Sequence, residues 1–377
     1  MISLYCVIFT ERKQGCFMHA TTAATVSINL DALNHNFLAI KKLMPHQKIL
    51  AMIKSNAYGH GVVPIAKTLL QADALGVATI SEALQLREEN INNKIIVMRG
   101  FLNKTELQVF LNDPSIIASV YNIKQVELLE KHTNQNKKIS IWLKLDTGMN
   151  RLGISPDEFP KIYDRLEKIN GLQKPFVLFS HLADADNADK KFTENQISLF
   201  DRLTKHLPGE KSLLNSAGIL AYPKNHYDWI RPGLLLYGAM PFETFQAGNF
   251  KPVMNLQANI IAIKNVNKYD KIGYSCIYTA EKNMKIAIIC AGYGDGYPRN
   301  AKAGTPVLIR GERCPLVGRV SMDMLAVDVS NLKSAEIGDV ATLWGDNLPV
   351  ELIAQYSDTI SYELLTRMTP RVEYRYE

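Results

Sequence analysis

Cysteine is scarce in this 377-residue chain and poorly placed for pairing. Cys6, Cys16, Cys276, Cys290 and Cys314 are odd in number, and none stands in a CxxC pair. That argues against a disulfide framework, leaves no ligand set for zinc, and fits a reducing cytoplasm. No metal is expected. Long apolar runs are also missing. The opening MISLYCVIF is apolar for nine residues before TERKQG. It is too short to span a bilayer. It lacks the basic start and small-residue cleavage site of a secretory signal. A second methionine, Met18, precedes HATTAATVSINL, so residues 1–17 read as an extension and the fold is expected to start after residue 24. Charge of one sign is not concentrated either. The net +6 is spread in short pairs such as Lys137-Lys138, without the basic face that nucleic-acid binding needs.

With 47% hydrophobic and 21% charged residues the composition is that of a globular protein. The length suits two domains, or one large barrel with an addition. Apolar runs of strand length occur at 49–54, 74–80, 94–100, 116–121, 139–145, 176–182, 213–217 and 234–240. Amphipathic stretches such as SEALQLREENI and NQISLFDRLTKHL separate most of them. Ser81 and Thr193 are expected N-caps. Alternation of this kind predicts a (β/α)8 TIM-type barrel over 25–250, although an open doubly wound sheet would alternate too. The position of polar residues favours the barrel. Lys54, Arg99, Lys144 with Asp146, His181, Asn215 and Ser216 all fall at the C-terminal ends of runs, where a barrel gathers its active site. Past Met254 the runs become short, alternating and β-branched: LQANIIAIKNV, KIAIICAGYG, TPVLIRGE, RCPLVGRV, MLAVDVS and DVATLWG. They predict an all-β domain over 251–377, with the boundary near QAGNFKP.

The stretch KILAMIKSNAYGHG, Lys48 to Gly61, ends an apolar run in a lysine. A snorkelling surface lysine is the commoner fate of such a residue. At a barrel mouth, however, desolvation lowers a lysine's proton affinity and makes its amine nucleophilic. Such an amine condenses with a carbonyl. Two classes follow: an aldolase that traps its substrate, or an enzyme holding pyridoxal phosphate. LLNSAG ends a strand in hydroxyl and amide groups, and RPGLLLYG offers a glycine where a phosphate can approach the backbone. KLDTGMNRLG places Lys144, Asp146 and Arg151 together. These stretches look like a site for an anionic cofactor beside a buried amine.

AMIKSNAYGHG, LKLDTGMNRLG, SHLADAD, NSAG, RPGLLLYG, GYSCIYTA, GYGDGYPR and GRVSMDM, in that order, resemble the alanine racemase family from about Thr25 to the C-terminus. The resemblance implies a homodimer that interconverts L-alanine and D-alanine in the cytoplasm and supplies D-alanine for peptidoglycan. It implies pyridoxal 5'-phosphate carried on Lys54. The phosphate contacts would come from Tyr58, Ser216, the backbone of Gly233 and Leu234, and Tyr362. Arg231 matches the arginine facing the pyridine nitrogen. A guanidinium only donates, so that nitrogen must accept, and the ring becomes a weaker electron sink. Lys54 and Tyr274 match the two bases, one for each face of the substrate. His181 and Arg231 match the hydrogen-bonded pair beside that tyrosine. Free tyrosine titrates near 10, so it needs positive charge nearby to act as a base.

Arg151 matches the arginine near the cofactor's phenolic oxygen and the substrate carboxylate. Lys144 matches a lysine that many members carbamylate to orient that arginine. Met322 matches the residue whose N–H binds the carboxylate, Tyr293 matches a tyrosine guarding the entrance, and Asp323 lies beside the carboxylate site. In the family Tyr274, Tyr293, Met322 and Asp323 would complete the partner's site. Asn150 stands where a glycine is common and Ser321 where a cysteine often precedes Met-Asp. Within the same fold, a decarboxylase of basic amino acids would need a cysteine proton donor, with Cys276 and Cys314 the nearby candidates. A non-catalytic pyridoxal-phosphate carrier would lack the second domain. Serine stays open as a substrate beside alanine, because a small pocket rejects an added hydroxyl weakly.

Overall fold

The computed structural model describes residues 24–134, 138–241 and 250–377. Eight short parallel strands close on themselves: Lys48–Met52, Ala74–Val77, Ile95–Val97, Ile116–Val120, Ile141–Lys144, Val177–Phe179, Lys211–Ser212 and Trp229–Ile230. The last strand pairs with the first, Trp229 opposite Lys48 and Ile230 opposite Ile49. The strands from Ala74 to Lys144 are buried along their whole length, as expected where helices cover one face and packed side chains fill the other. The barrel core includes Trp142, packed edge-on against Phe179 and Trp229.

The final barrel strand is not the expected 234–240 segment. That segment begins as a buried 3-10 helix, Leu234–Tyr237. An apolar run of that length does not by itself separate a buried strand from a buried helix. The true eighth strand is two residues long, too short for any periodicity. Several helices start from a side-chain cap: Asn29, Thr79, Asn103, Asn122 and Asn215 each accept from the backbone one turn on. The expected caps differ. Ser81 lies inside the helix Ile80–Glu88, which Thr79 caps in a capping box with Glu82. Thr193 lies inside Lys191–Thr204, where its buried hydroxyl donates to Asp184 O at 2.9 Å.

All six segments predicted past Met254 form strands. Met254–Val266, Met284–Ile289, Leu325–Asp328, Glu312–Val317, Pro306–Ile309 and Val340–Trp344 pair in that order, antiparallel, and the ring closes from Val340–Trp344 back to Met254–Val266. Two short helices, Val350–Tyr356 and Ser361–Thr366, are added to what the sequence reads as purely β. Thr25–Ile28, expected in the barrel domain, instead extends this second sheet. It pairs antiparallel with Met254–Val266 and parallel with Glu373–Tyr376. The expected extension over 1–24 falls on residues outside the described set except for Ala24, which is buried and accepts from Glu373 N–H at 3.0 Å. Part of the expected boundary segment, QAGNFKP, also lies outside that set. Among the described residues no helix is long and apolar enough to cross a membrane.

The helix Leu30–Leu43 leads from the second sheet to the barrel, and Asn36 fastens it. Its buried amide donates to Leu236 O at 3.0 Å and Lys251 O at 2.8 Å, and accepts from Lys251 N–H at 2.8 Å. Asn36→Leu would bury these backbone groups unpaired, so it should cost about 3 kcal/mol in a urea titration. A loss under a few tenths would mean that the groups find water or other partners.

Candidate active site

The first barrel strand ends at Met52, and the chain then makes a turn of the wrong hand. Ser55, Asn56, Ala57 and Tyr58 all have φ between 53° and 54°. For residues bearing a Cβ this left-handed region costs roughly 1–2 kcal/mol each. Surrounding bonds hold it. Within the turn, Gly59 N–H donates to Ser55 O and Gly61 N–H to Asn56 O. The Asn56 side chain accepts from Val62 N–H at 2.8 Å. His60 Nδ1 lies 2.9 Å from Tyr58 O and 3.1 Å from Ala57 O. Both are carbonyls, so Nδ1 carries the proton. Burial pushes this histidine down to about 4, so it stays neutral. From the second domain, Tyr374 donates its hydroxyl to Gly59 O at 2.7 Å. Gly59 must be glycine, with φ at +81° and a Cβ there meeting Leu365 O at 2.0 Å. Strain of this kind, held from several sides, is characteristic of functional sites.

The turn aims Lys54 into a cavity of about 830 Å³ at the C-terminal ends of the strands. Arg99, Lys144, Arg151, His181 and Ser216 share its wall. The site is therefore strongly cationic. Burial lowers the Lys54 pKa, the Arg151 charge lowers it further, and Glu82 partly opposes them. Lys144 is pushed down to about 8, first by burial and then by Arg151 and Arg231. Asp146 accepts from Gly148 and Asn150 N–H at 2.9 and 3.1 Å and so shapes the turn that carries Arg151. Asn150 has φ at +55°, which accounts for a position often glycine. Asparagine tolerates that region better than most residues.

Arg231 is only 3% exposed. Its guanidinium donates to Ser180 O at 2.6 Å, Ser212 Oγ at 2.6 Å, Leu213 O at 3.0 Å and His181 Nδ1 at 3.2 Å. Every partner is neutral, and burial lowers its pKa to about 9. Since arginine only donates, His181 Nδ1 must accept, which leaves the proton on Nε2. Burial, followed by the charge of Arg231, holds the histidine well below its usual value.

An anion cradle lies beside the amine. Ser216 Oγ accepts from Gly233 N–H at 3.0 Å and Leu235 N–H at 3.3 Å, leaving its own proton free to donate. The Gly233 N–H is thus engaged with Ser216, and Leu234 lines the cavity. Tyr58 and Tyr362 also face it, with ring centroids 6.0 Å apart. Burial raises both phenols, Tyr362 to about 12, so both stay protonated donors. An amine of lowered proton affinity, buried cations and a ring of hydroxyl donors suit an anionic carbonyl compound such as pyridoxal phosphate.

Tyr274, Tyr293, Met322 and Asp323 do not line this cavity. They lie in the second domain, with Tyr274 69% and Met322 52% exposed. Tyr293 N–H donates to Ser321 O and Gly294 N–H to Met322 O, which joins their two loops. Asp323 pairs with Arg371 at 2.7 Å. Glu82 also lies near this site, and Thr79-Ile80-Ser81-Glu82 carries the capping-box spacing that marks it in the sequence.

Fold and site define an enzyme of the barrel class, with its reactive groups at the strands' C-terminal ends. Residues 28–241 match the alanine racemase N-terminal domain family, and residues 253–376 the alanine racemase C-terminal domain family. The chain is 51% identical over 358 residues to an alanine racemase of Coxiella burnetii (strain RSA 331 / Henzerling II), an alignment covering 93% of this chain and 98% of that one. The biosynthetic alanine racemase of Pseudomonas aeruginosa superposes with a TM-score of 0.91 at 36% identity, over 95% of this chain and all of that one. The alanine racemase of Bartonella henselae, solved with covalently bound pyridoxal phosphate, superposes at 0.86 with 29% identity, over 95% and 100% of the two chains. The chain belongs to the alanine racemase family and is an isomerase.

A Cβ added at Gly233 would lie 2.4 Å from the Tyr58 hydroxyl oxygen. Gly233→Ala should therefore lose about 1–3 kcal/mol of stability by forcing the ring aside. Adding Tyr58→Phe should recover part of it in a double-mutant cycle. Strictly additive losses would show that the contact is not felt.

Proposed function

We propose that this enzyme interconverts L-alanine and D-alanine with pyridoxal 5'-phosphate, using Lys54 and Tyr274 as its two bases. The observation that carries the reading is the Lys54 amine, lowered in proton affinity and aimed beside the Ser216–Gly233 cradle. The cofactor, when bound, supplies a sink for negative charge at the substrate Cα. Lys54 would hold it covalently until the substrate amine takes its place, and the freed lysine amine would then exchange the Cα proton on one face. Tyr58, Ser216, Leu234 and Tyr362 would hold its phosphate, with Gly233 giving room. Arg231, a donor only, would face the ring nitrogen and disfavour its protonation, which would shorten the life of negative charge at Cα and limit side reactions.

Arg151 binds the substrate carboxylate together with the Met322 backbone. The neutral fraction of the Lys144 amine, sizeable with a pKa near 8, attacks carbon dioxide. A nitrogen–carbon bond forms, a proton leaves to solvent, and the resulting anion faces Arg151. Carbon-13 bicarbonate should give a carbamate NMR signal that Lys144→Ala abolishes. A signal unchanged in that variant would place the adduct elsewhere.

Tyr274 serves the opposite face of the substrate from a second copy of the chain. Its exposure, and its absence from the wall around Lys54, support a homodimer with shared sites. Met322 and Tyr293 then narrow the entrance, with Asp323 beside the carboxylate site, which favours a side chain as small as that of alanine. A cytoplasmic enzyme of this kind would supply D-alanine for peptidoglycan.

The purified chain should take up pyridoxal phosphate with a yellow colour, and borohydride should fix the cofactor on the Lys54 peptide. It should also erase the circular-dichroism signal of L-alanine. Lys54→Ala and Tyr274→Phe should each slow racemisation by about 10²–10⁴-fold, and mixing the two variants should restore activity through heterodimers. Colour without optical change would overturn racemisation, and mixtures as inactive as the parents would overturn shared sites.

A further inference from the structure

Among the described residues one carboxylate reaches the backbone of the left-handed turn beside Lys54. Glu82 stands at the third position of the helix Ile80–Glu88 and uses its two oxygens differently. Oε2 accepts from Ala78 N–H at 2.7 Å and Thr79 N–H at 3.0 Å, the latter being half of the capping box. Oε1 reaches across to another loop and accepts from Ser55 N–H at 2.6 Å. Ser55 directly follows Lys54 and is the first residue of the turn with positive φ. A charge-assisted bond at that N–H is short and strong. It opposes the relaxation to right-handed geometry that strain at Ser55 favours. Helix capping does not call for the second oxygen, since glutamine serves equally at that position.

We infer that Glu82 is a positioning residue of this site: its Oε1 anchors the Ser55 N–H and thereby fixes the direction in which Lys54 leaves the barrel. The inference deepens the proposed function and rests on Lys54 as the reactive amine. The charge of Glu82 adds a second effect. The Lys54 amine feels positive charge from Arg99, Arg151 and Arg231, and Lys144 and the neutral His181 share the same wall. Asp146 faces Lys144, and Glu363, which also lines the cavity, pairs with Arg367. Glu82 is the anion that acts on Lys54 itself. Removing its charge disfavours the protonated amine, so the Lys54 titration moves to lower pH.

Glu82→Gln separates the two roles of the side chain. Its amide oxygen can keep the capping box, while its NH2 group meets Ser55 N–H donor to donor. The full-length variant should melt close to wild type. Amide exchange across Ser55–Tyr58 should rise about tenfold or more, as expected for a lost charge-assisted bond. Acylation of Lys54 in the cofactor-free chain, followed by mass spectrometry against pH, should show its midpoint displaced downward. In the loaded enzyme kcat should fall by about 10–100-fold, with KM for alanine little changed. Thr79→Ala, which weakens the cap and leaves the Ser55 bond, should change neither exchange nor midpoint. Wild-type exchange and midpoint in Glu82→Gln would overturn the inference. So would equal changes in Thr79→Ala, because the cap alone would then explain them. If the wild-type chain fails to racemise alanine but the Glu82→Gln exchange and acylation shifts appear, the anchor stands and the proposed function falls.

Discussion

Four consecutive residues of the wrong hand, Ser55 to Tyr58, are the constraint on which the site depends. A right-handed turn after the first barrel strand would carry the chain away on another path and leave Lys54 aimed elsewhere. The left-handed one costs conformational energy at every residue with a Cβ. It persists because neighbours on several sides hold it. Glu82 grips its start, His60 its end and Tyr374 its carbonyl face. Tyr237 braces it from beneath, stacked on Tyr58 at 4.9 Å and on His60 at 4.4 Å. The second domain is thus part of the mechanical support for an amine that belongs to the first.

The cavity's electrostatics follow from the same economy. Arg231 is buried among neutral acceptors, and Lys144 and Lys54 share the space with Arg151. Positive charge gathered at the cavity in excess of the carboxylates there is unfavourable alone. It becomes favourable once a polyanion enters. Stability given up by the empty protein is recovered as affinity and as amines of lowered proton affinity. The neutrality of His181 belongs to this arrangement, since a charge there would sit against the guanidinium that donates to it.

Much of this was legible in the sequence, and the reasons are particular. The six strands of the second ring alternate or run apolar for their full length, so each announced itself. Lys54, Lys144, His181 and Ser216 showed because strand ends in a barrel converge, which turns scattered polar residues into a cluster. The seventh and eighth barrel strands did not show, because Lys211–Ser212 and Trp229–Ile230 are too short to carry a period. The hand of the Ser55–Tyr58 turn was also invisible. Only Asn56 among the four tolerates positive φ well, and the rest are held by contacts from residues distant in sequence. With Ser81 as the expected cap, Glu82 shows only as the carboxylate behind it, and the structure moves the cap to Thr79. Tyr274 and Met322 were reachable only by resemblance, since nothing in their surroundings within one chain points to the cavity.

The strand Thr25–Ile28 gives the molecule a closed bookkeeping of its two ends. It lies in the second sheet with the chain's final strand, Glu373–Tyr376, at its side, so the barrel is an insert within the domain that follows it. During synthesis Thr25–Ile28 therefore waits through the whole barrel for its partner on that side. Tyr374, in that strand, also touches the turn beside Lys54, so one segment both seals the edge of the sheet and steadies the turn that aims the amine.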